Sequence, residues 1–147
     1  MNPPAAPPDQ PLATAEDTVA AAALTHAFFA GLDLNDPDAV AACMAPDGVW
    51  VRQGTELKGP EAVRQACAAR PRDRATAHVI SNLTAWAAGE GRMRVRFYLS
   101  AYLSAHKDGG WSAPSMPGVR WCTDDLVRTP AGWRIARKDS RALLPPA

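Results

Sequence analysis

The apolar residues change their period after Pro71. Before it they recur at helical spacing in three segments, with one short strand among them; after it they alternate along runs separated by turns. Helices gathered at one end of a chain and strands at the other describe an α+β domain. Such a chain buries one face of an antiparallel sheet under its helices. If the sheet curls, it leaves an apolar cone with a mouth at one end.

The helical block begins with Thr14, a cap followed by Glu16 and Asp17, which suit the positive end of a helix dipole. A long helix runs from there to about Leu34 with no internal proline. At 3.6 residues per turn, Val19, Ala22, His26, Phe29 and Asp33 share one stripe, and Leu24, Phe28 and Leu32 an adjacent one. Asp36 caps a second, short helix with Pro37 at its first position, continuing to Met44. Pro46-Asp47-Gly48 reads as a turn into a short strand, Val49 to Arg52. Gly54 to Gly59 reads as a hairpin or loop, and a third helix from Ala62 to Ala69 ends at Pro71.

The strand block comprises His78–Trp86, Met93–Leu103, Val119–Thr129 and Trp133–Lys138, with a long loop over 105–118. Residues 1–13, holding five prolines, are expected to form a mobile tail, and 144–147 a frayed end. A single domain over 14–143 remains.

Composition excludes several classes of function. With 16 Lys and Arg against 15 Asp and Glu, no global field draws the 147-residue chain to nucleic acid or an anionic membrane. Its three cysteines are widely spaced with no C-x-x-C, against both a disulfide framework and a zinc knuckle. No metal site is expected, because the three histidines lack ligand spacing. There is no G-x-S-x-G and no phosphate loop. The start lacks the basic and apolar regions of a signal peptide, and Val19–Leu24 is too short to span a bilayer, so a soluble cytoplasmic protein is the default expectation.

The stretch Ala75–Leu83 carries the chemistry. Alternation puts His78, Ile80 and Asn82 on one face, a mixture that suits a cavity wall better than a dry core. Asp33, at the end of the first helix, is the expected partner of His78 across that cavity. On the long strand, Tyr98 and Tyr102 share one face and Phe97 and Leu99 the other; a single bulge would exchange them. Arg137 lies in phase with Trp133 and Ile135, where it could bind an anionic group or pair with Asp124.

The chain resembles the SnoaL-like branch of the nuclear-transport-factor-2-like superfamily. The resemblance is carried, in order, by Gly31-Leu32-Asp33-Leu34-Asn35-Asp36, Met44-Ala45-Pro46-Asp47-Gly48-Val49-Trp50 and Lys58-Gly59-Pro60-Glu61-Ala62-Val63. It continues through Ala77-His78-Val79-Ile80-Ser81-Asn82, Asp125-Leu126-Val127-Arg128-Thr129 and Gly132-Trp133-Arg134-Ile135-Ala136-Arg137. It implies a curved sheet closed by three N-terminal helices around a small-molecule ligand, without a cofactor, and a homodimer, since dimers are common in the family. The fold hosts dehydratases, isomerases, cyclases, epoxide hydrolases, dioxygenase small subunits and non-catalytic binders. Asp33 and His78 match the positions of the Asp–His pair of scytalone dehydratase and bile-acid 7α-dehydratase. The tyrosines those enzymes carry near the Asp are replaced by Leu32 and Phe28, and the second dehydratase histidine falls near Tyr102.

The resulting expectation is a lyase or isomerase acting on a small apolar oxygenated metabolite such as a polyketide, steroid or aromatic compound. Asp33 and His78 would be its acid/base pair. Tyr98, Tyr102, Asn82 or Trp50 would donate to a developing enolate oxygen. A binding or dimeric scaffold domain, paired through the outer sheet face, is the alternative. The small subunit of a ring-hydroxylating dioxygenase is a second.

Overall fold

The computed structural model describes residues 10–146. The first helix, α1 (Ala15–Asp33), starts where the Thr14 side chain accepts from the Asp17 amide at 3.1 Å. Its buried stripe is Ala21, Thr25, Phe28, Phe29 and Leu32. Val19 and His26, on the same sequence stripe as the buried Phe29, are exposed. The bulky residues cluster in the last two turns and set the rotation of an otherwise alanine-rich helix, and Thr25 tolerates burial because its hydroxyl donates to the Ala21 carbonyl at 2.9 Å. Two further helices follow, α2 (Pro37–Ala42) and α3 (Gly59–Ala68). The strands are β1 (Met44–Arg52), β2 (Thr55–Lys58), β3 (Arg74–Ala87), β4 (Arg92–Lys107), β5 (Gly110–Trp111), β6 (Val119–Thr129) and β7 (Gly132–Leu144).

These strands form one open, seven-stranded sheet in the order β2-β1-β7-β6-β4-β3, with β5 beside β4. The expectation of a wholly antiparallel sheet needs one correction: β1 runs parallel to β7, so the early strand joins the last one. Three further boundaries move. The expected turn at Pro46-Asp47-Gly48 is a bulge inside β1, between the pairs Met44–Ile135 and Val49–Arg137. The expected loop over 105–118 contains the end of β4 and the short β5 hairpin, and Ser115 bridges back to Leu103. The last strand continues past Lys138 to Leu144 because β6 supplies partners along its length.

Of the expected tail, residues 1–9 lie outside the described residues, as does Ala147 at the other end. Pro11 to Ala13 differ from the expectation. The Pro11 carbonyl accepts from the Ala87 amide at 2.9 Å and the Ala13 amide donates to the Ala85 carbonyl at 3.0 Å, tying this segment to the end of β3.

The core lies between the helices and the concave face of the sheet. Phe28, Phe29 and Leu32 meet Val95, Phe97 and Leu99, with the Phe29 and Phe97 rings edge to face at 5.9 Å. Each such side chain contributes about 1.5–3 kcal/mol through its removal from water.

The β1 bulge brings its backbone so close to β7 that a Cβ on Gly48 would lie 2.4 Å from the Ile135 carbonyl oxygen. Backbone cannot swing aside as a side chain does. Gly48→Ala is therefore expected to destabilise the fold by about 1–3 kcal/mol, as overpacking does, measured as a drop in the urea midpoint. An unchanged midpoint would mean the two strands separate freely.

Candidate functional site

The C-terminal turn of α1 delivers Asp33 to the edge of β3, where its carboxylate makes three contacts. Oδ2 accepts from the His78 backbone amide at 2.9 Å. Oδ1 accepts from the Thr76 hydroxyl at 2.8 Å and lies 2.6 Å from His78 Nδ1. Because Oδ1 can only accept, an Nδ1–H must point at it, leaving Nε2 as the ring nitrogen available for a ligand. Thr76 is itself held by Arg70, whose Nη2 donates to it at 3.1 Å while Nη1 donates to the Leu32 carbonyl at the end of α1. Arg70 thus ties the helix terminus to the strand. The Phe29 ring leans on the imidazole, with centroids 5.0 Å apart. The side chains are mostly sheltered, His78 with 12% of its surface exposed and Asp33 with 23%.

The imidazole forms part of the wall of a cavity of about 230 Å³ that also includes Phe29, Leu32, Trp50, Leu99 and Lys138. Trp50, expected at the site, is there, its ring edge to face with Phe28 at 5.1 Å. Strand register places the wall residues. Trp50 pairs with Lys138, Phe97 with Cys122 and His78 with Ala101.

Four expected lining residues lie elsewhere. Asn82 takes a left-handed backbone conformation (φ 54°) inside a β3 irregularity between Ser81 and Thr84, which turns it to solvent. On β4 the alternation resolves in favour of Met93, Val95, Phe97 and Leu99 as the buried set. Tyr98 therefore lies on the outer face, 5.2 Å from the Trp121 ring, and Tyr102 is 41% exposed. A further bulge, between the β6–β7 pairs Asp125–Arg137 and Leu126–Ile135, shifts the phase of β7 at Ala136. Arg137 turns outward, 3.3 Å from Glu56, and Lys138 turns inward in its place.

Asp124 pairs with Lys138, not Arg137. Its Oδ2 lies 2.6 Å from the ammonium, and the two side chains are 0% and 4% exposed. The ammonium also sits 4.6, 4.7 and 5.1 Å from the ring centres of Phe28, Phe29 and Phe97. Burial pushes the Asp124 pKa up, and Lys138 pulls against it. Burial likewise pushes the nearby Cys122 thiol up to about 12, so this cavity residue is an inert thiol at neutral pH. Among the described residues no group of three or more His, Cys, Asp or Glu gathers as a metal would require, and no helix is long and apolar enough to cross a membrane.

Reading β3 with a two-residue period could have found Thr76, two positions before His78 on the same face. Lys138 carried no such signal, because the Ala136 bulge decides its direction.

The family model for the SnoaL-like domain matches residues 13–139. The chain belongs to the SnoaL-like domain family. Solved structures share the fold of this SnoaL-like chain at low identity. One is an NTF2-like protein with a cystatin-like fold from Novosphingobium aromaticivorans, 21% identical over 90% of this chain and 85% of that one, TM-score 0.74. Another, provisionally named a scytalone dehydratase, is from the same organism, 19% identical over 88% and 85%, TM-score 0.73. A third, from Catenulispora acidiphila in complex with S-DNPA, is 18% identical over 88% and 95%, TM-score 0.73. No curated protein matches the chain.

Proposed function

We propose that this SnoaL-like domain is a cofactor-free lyase or isomerase that moves a proton next to a carbonyl in a small, largely apolar, oxygenated molecule. The observation that carries the reading is the 2.6 Å contact of Asp33 Oδ1 with Nδ1 of His78, the residue of the pair that lines the cavity. Asp33 holds the ring with its basic nitrogen toward the ligand. Nε2 takes the proton from the carbon next to the carbonyl, and the electron pair moves onto the carbonyl oxygen as an enolate. Lys138, fixed by Asp124 and three aromatic rings, is a cation of the cavity and stabilises this oxygen. It takes the role expected of the tyrosines. When the enolate re-forms its carbonyl, a β-hydroxyl leaves with the proton held by the imidazolium, and water is lost. Return of the proton to another carbon completes an isomerisation instead. Two fold neighbours agree with a small-molecule role, one solved with S-DNPA and one provisionally named a scytalone dehydratase.

The test is elimination of water from a panel of cyclic β-hydroxyketones, followed by the ultraviolet absorbance of the enone, in wild type and His78→Asn. Wild-type turnover falling about 10²–10⁴-fold in the variant is expected for loss of a general base. Binding without turnover in the wild type would reduce the domain to a binder.

A further inference from the structure

Three arginines that line the cavity take no part in the proton chemistry: Arg52, Arg70 and Arg120. No Asp or Glu shares that wall. Elsewhere the protein pairs arginines with acids, as in Arg64–Glu61, Arg94–Asp125 and Arg128–Asp17, at 2.7 to 2.9 Å. Among the described residues, the three cavity arginines form no ion pair.

What holds them is neutral. Arg52 lies 5.5 Å over the Trp50 ring and donates to the Ala66 carbonyl at 3.5 Å. Arg120 donates to the Ser140 hydroxyl at 2.8 Å and to its carbonyl at 3.0 Å. Arg70 holds Thr76 and the Leu32 carbonyl. Asp33 attracts Arg70 only at longer range, its oxygens being taken by His78 and Thr76. Burial first, and then the charge of Arg52, hold the Arg70 pKa below its ordinary value, although Cys67 and Asp33 pull the other way.

Register puts these groups toward one end of the sheet. Arg52 is two residues beyond the Trp50–Lys138 pair, Cys122 pairs with Ser140, and Arg120 pairs with Leu99. Positioned guanidiniums that no carboxylate of the protein pairs directly are the arrangement that recognises a carboxylate.

We propose that the cavity contains a carboxylate subsite formed by Arg52, Arg70 and Arg120, and that its ligand is an apolar ring compound bearing an organic acid. The acid end lies among the arginines and the ring lies on Phe29, Trp50 and Leu99. This rests on the reading that the cavity is the substrate site; it does not require that the dyad turn anything over.

The experiment compares 2-naphthoate with its neutral isostere 2-naphthamide by isothermal titration calorimetry. Naphthoate is expected to bind at least tenfold tighter at low salt, with the preference shrinking as sodium chloride is added. Arg52→Gln and Arg120→Gln should each cut it by roughly fivefold or more, and His78→Asn should keep it. If a variant fails to fold, the wild-type preference and its salt dependence decide alone. Equal binding of the two probes, no binding of either at millimolar concentration, or a preference untouched by the arginine changes overturns the subsite. So does its loss in His78→Asn, which would put the anion on the imidazole. An intact preference without elimination activity would instead sink the dyad chemistry and leave the subsite standing.

Discussion

Asp33→Asn is expected to lower proton-transfer turnover by about 10²–10⁴-fold while leaving the protein folded. The aspartate has a structural task besides its chemical one, since Oδ2 accepts the His78 backbone amide. An asparagine can keep that bond with its carbonyl oxygen. Its amide nitrogen then occupies the position of Oδ1, facing Thr76 and His78 Nδ1. An NH₂ group donates where the carboxylate accepted, so Nδ1 must become the acceptor and the neutral ring must carry its proton on Nε2. The nitrogen facing the ligand then has no lone pair to offer. Nitrogen-15 shifts of the His78 ring read this directly: protonated Nδ1 in the wild type, protonated Nε2 in the variant. The same tautomer in both, or turnover within threefold, would mean the carboxylate does not govern the ring. Asp33→Ala is a poorer test, because it also strips the strand edge of its acceptor.

Lys138→Met is expected to cost about 3–5 kcal/mol of stability, the usual consequence of leaving one member of a buried ion pair alone. In a domain of this size that lowers the melting temperature by roughly 10 °C. Asp124 is fully buried, and its Oδ1 has no partner among the described residues, so Lys138 supplies its compensation. The pH dependence has a definite sign. Burial already raises the Asp124 pKa in the folded protein, and without the ammonium it rises further. The folded state then holds the proton more tightly than the unfolded chain does. From the ordinary aspartate value upward, stability falls as pH rises through the raised pKa. The variant should lose less at pH 5 than at pH 8. Adding Asp124→Leu should restore most of the loss, since it removes the stranded charge. Thermal melts of both variants at the two pH values provide the check. A single variant with a small, pH-independent loss would show that the pair is not energetically coupled.

The sequence made the helix-to-strand order legible, and with it the meeting of Asp33 and His78. Asp36 and Pro37 stop α1 one turn after Phe29, and the alternation around His78 puts the imidazole on the inward face. The lining of the rest of the cavity was less legible, because bulges set it. Neither the turn of Asn82 to solvent nor the exchange of Arg137 for Lys138 has a local signal; both come from fitting long strands into a curved sheet. Tyr98 was misplaced for a different reason. A tyrosine suits a half-buried outer face beside Trp121 as well as a cavity, and the purely apolar Phe97 and Leu99 claimed the interior. Arg52, Arg70 and Arg120 are far apart along the chain with no common motif, and only the folded register brings them to one cavity.

The parallel pairing of β1 with β7 has a consequence for biosynthesis. Trp50 leaves the ribosome well before its neighbour Lys138, which belongs to the last strand of the domain among the described residues. Until that strand arrives, nothing joins β1 to β6, and Trp50 and Leu126 lack the neighbours they have in the finished sheet. The nascent domain therefore passes through a stage in which greasy surface is open to other chains, and shelter by a chaperone would matter most in that interval.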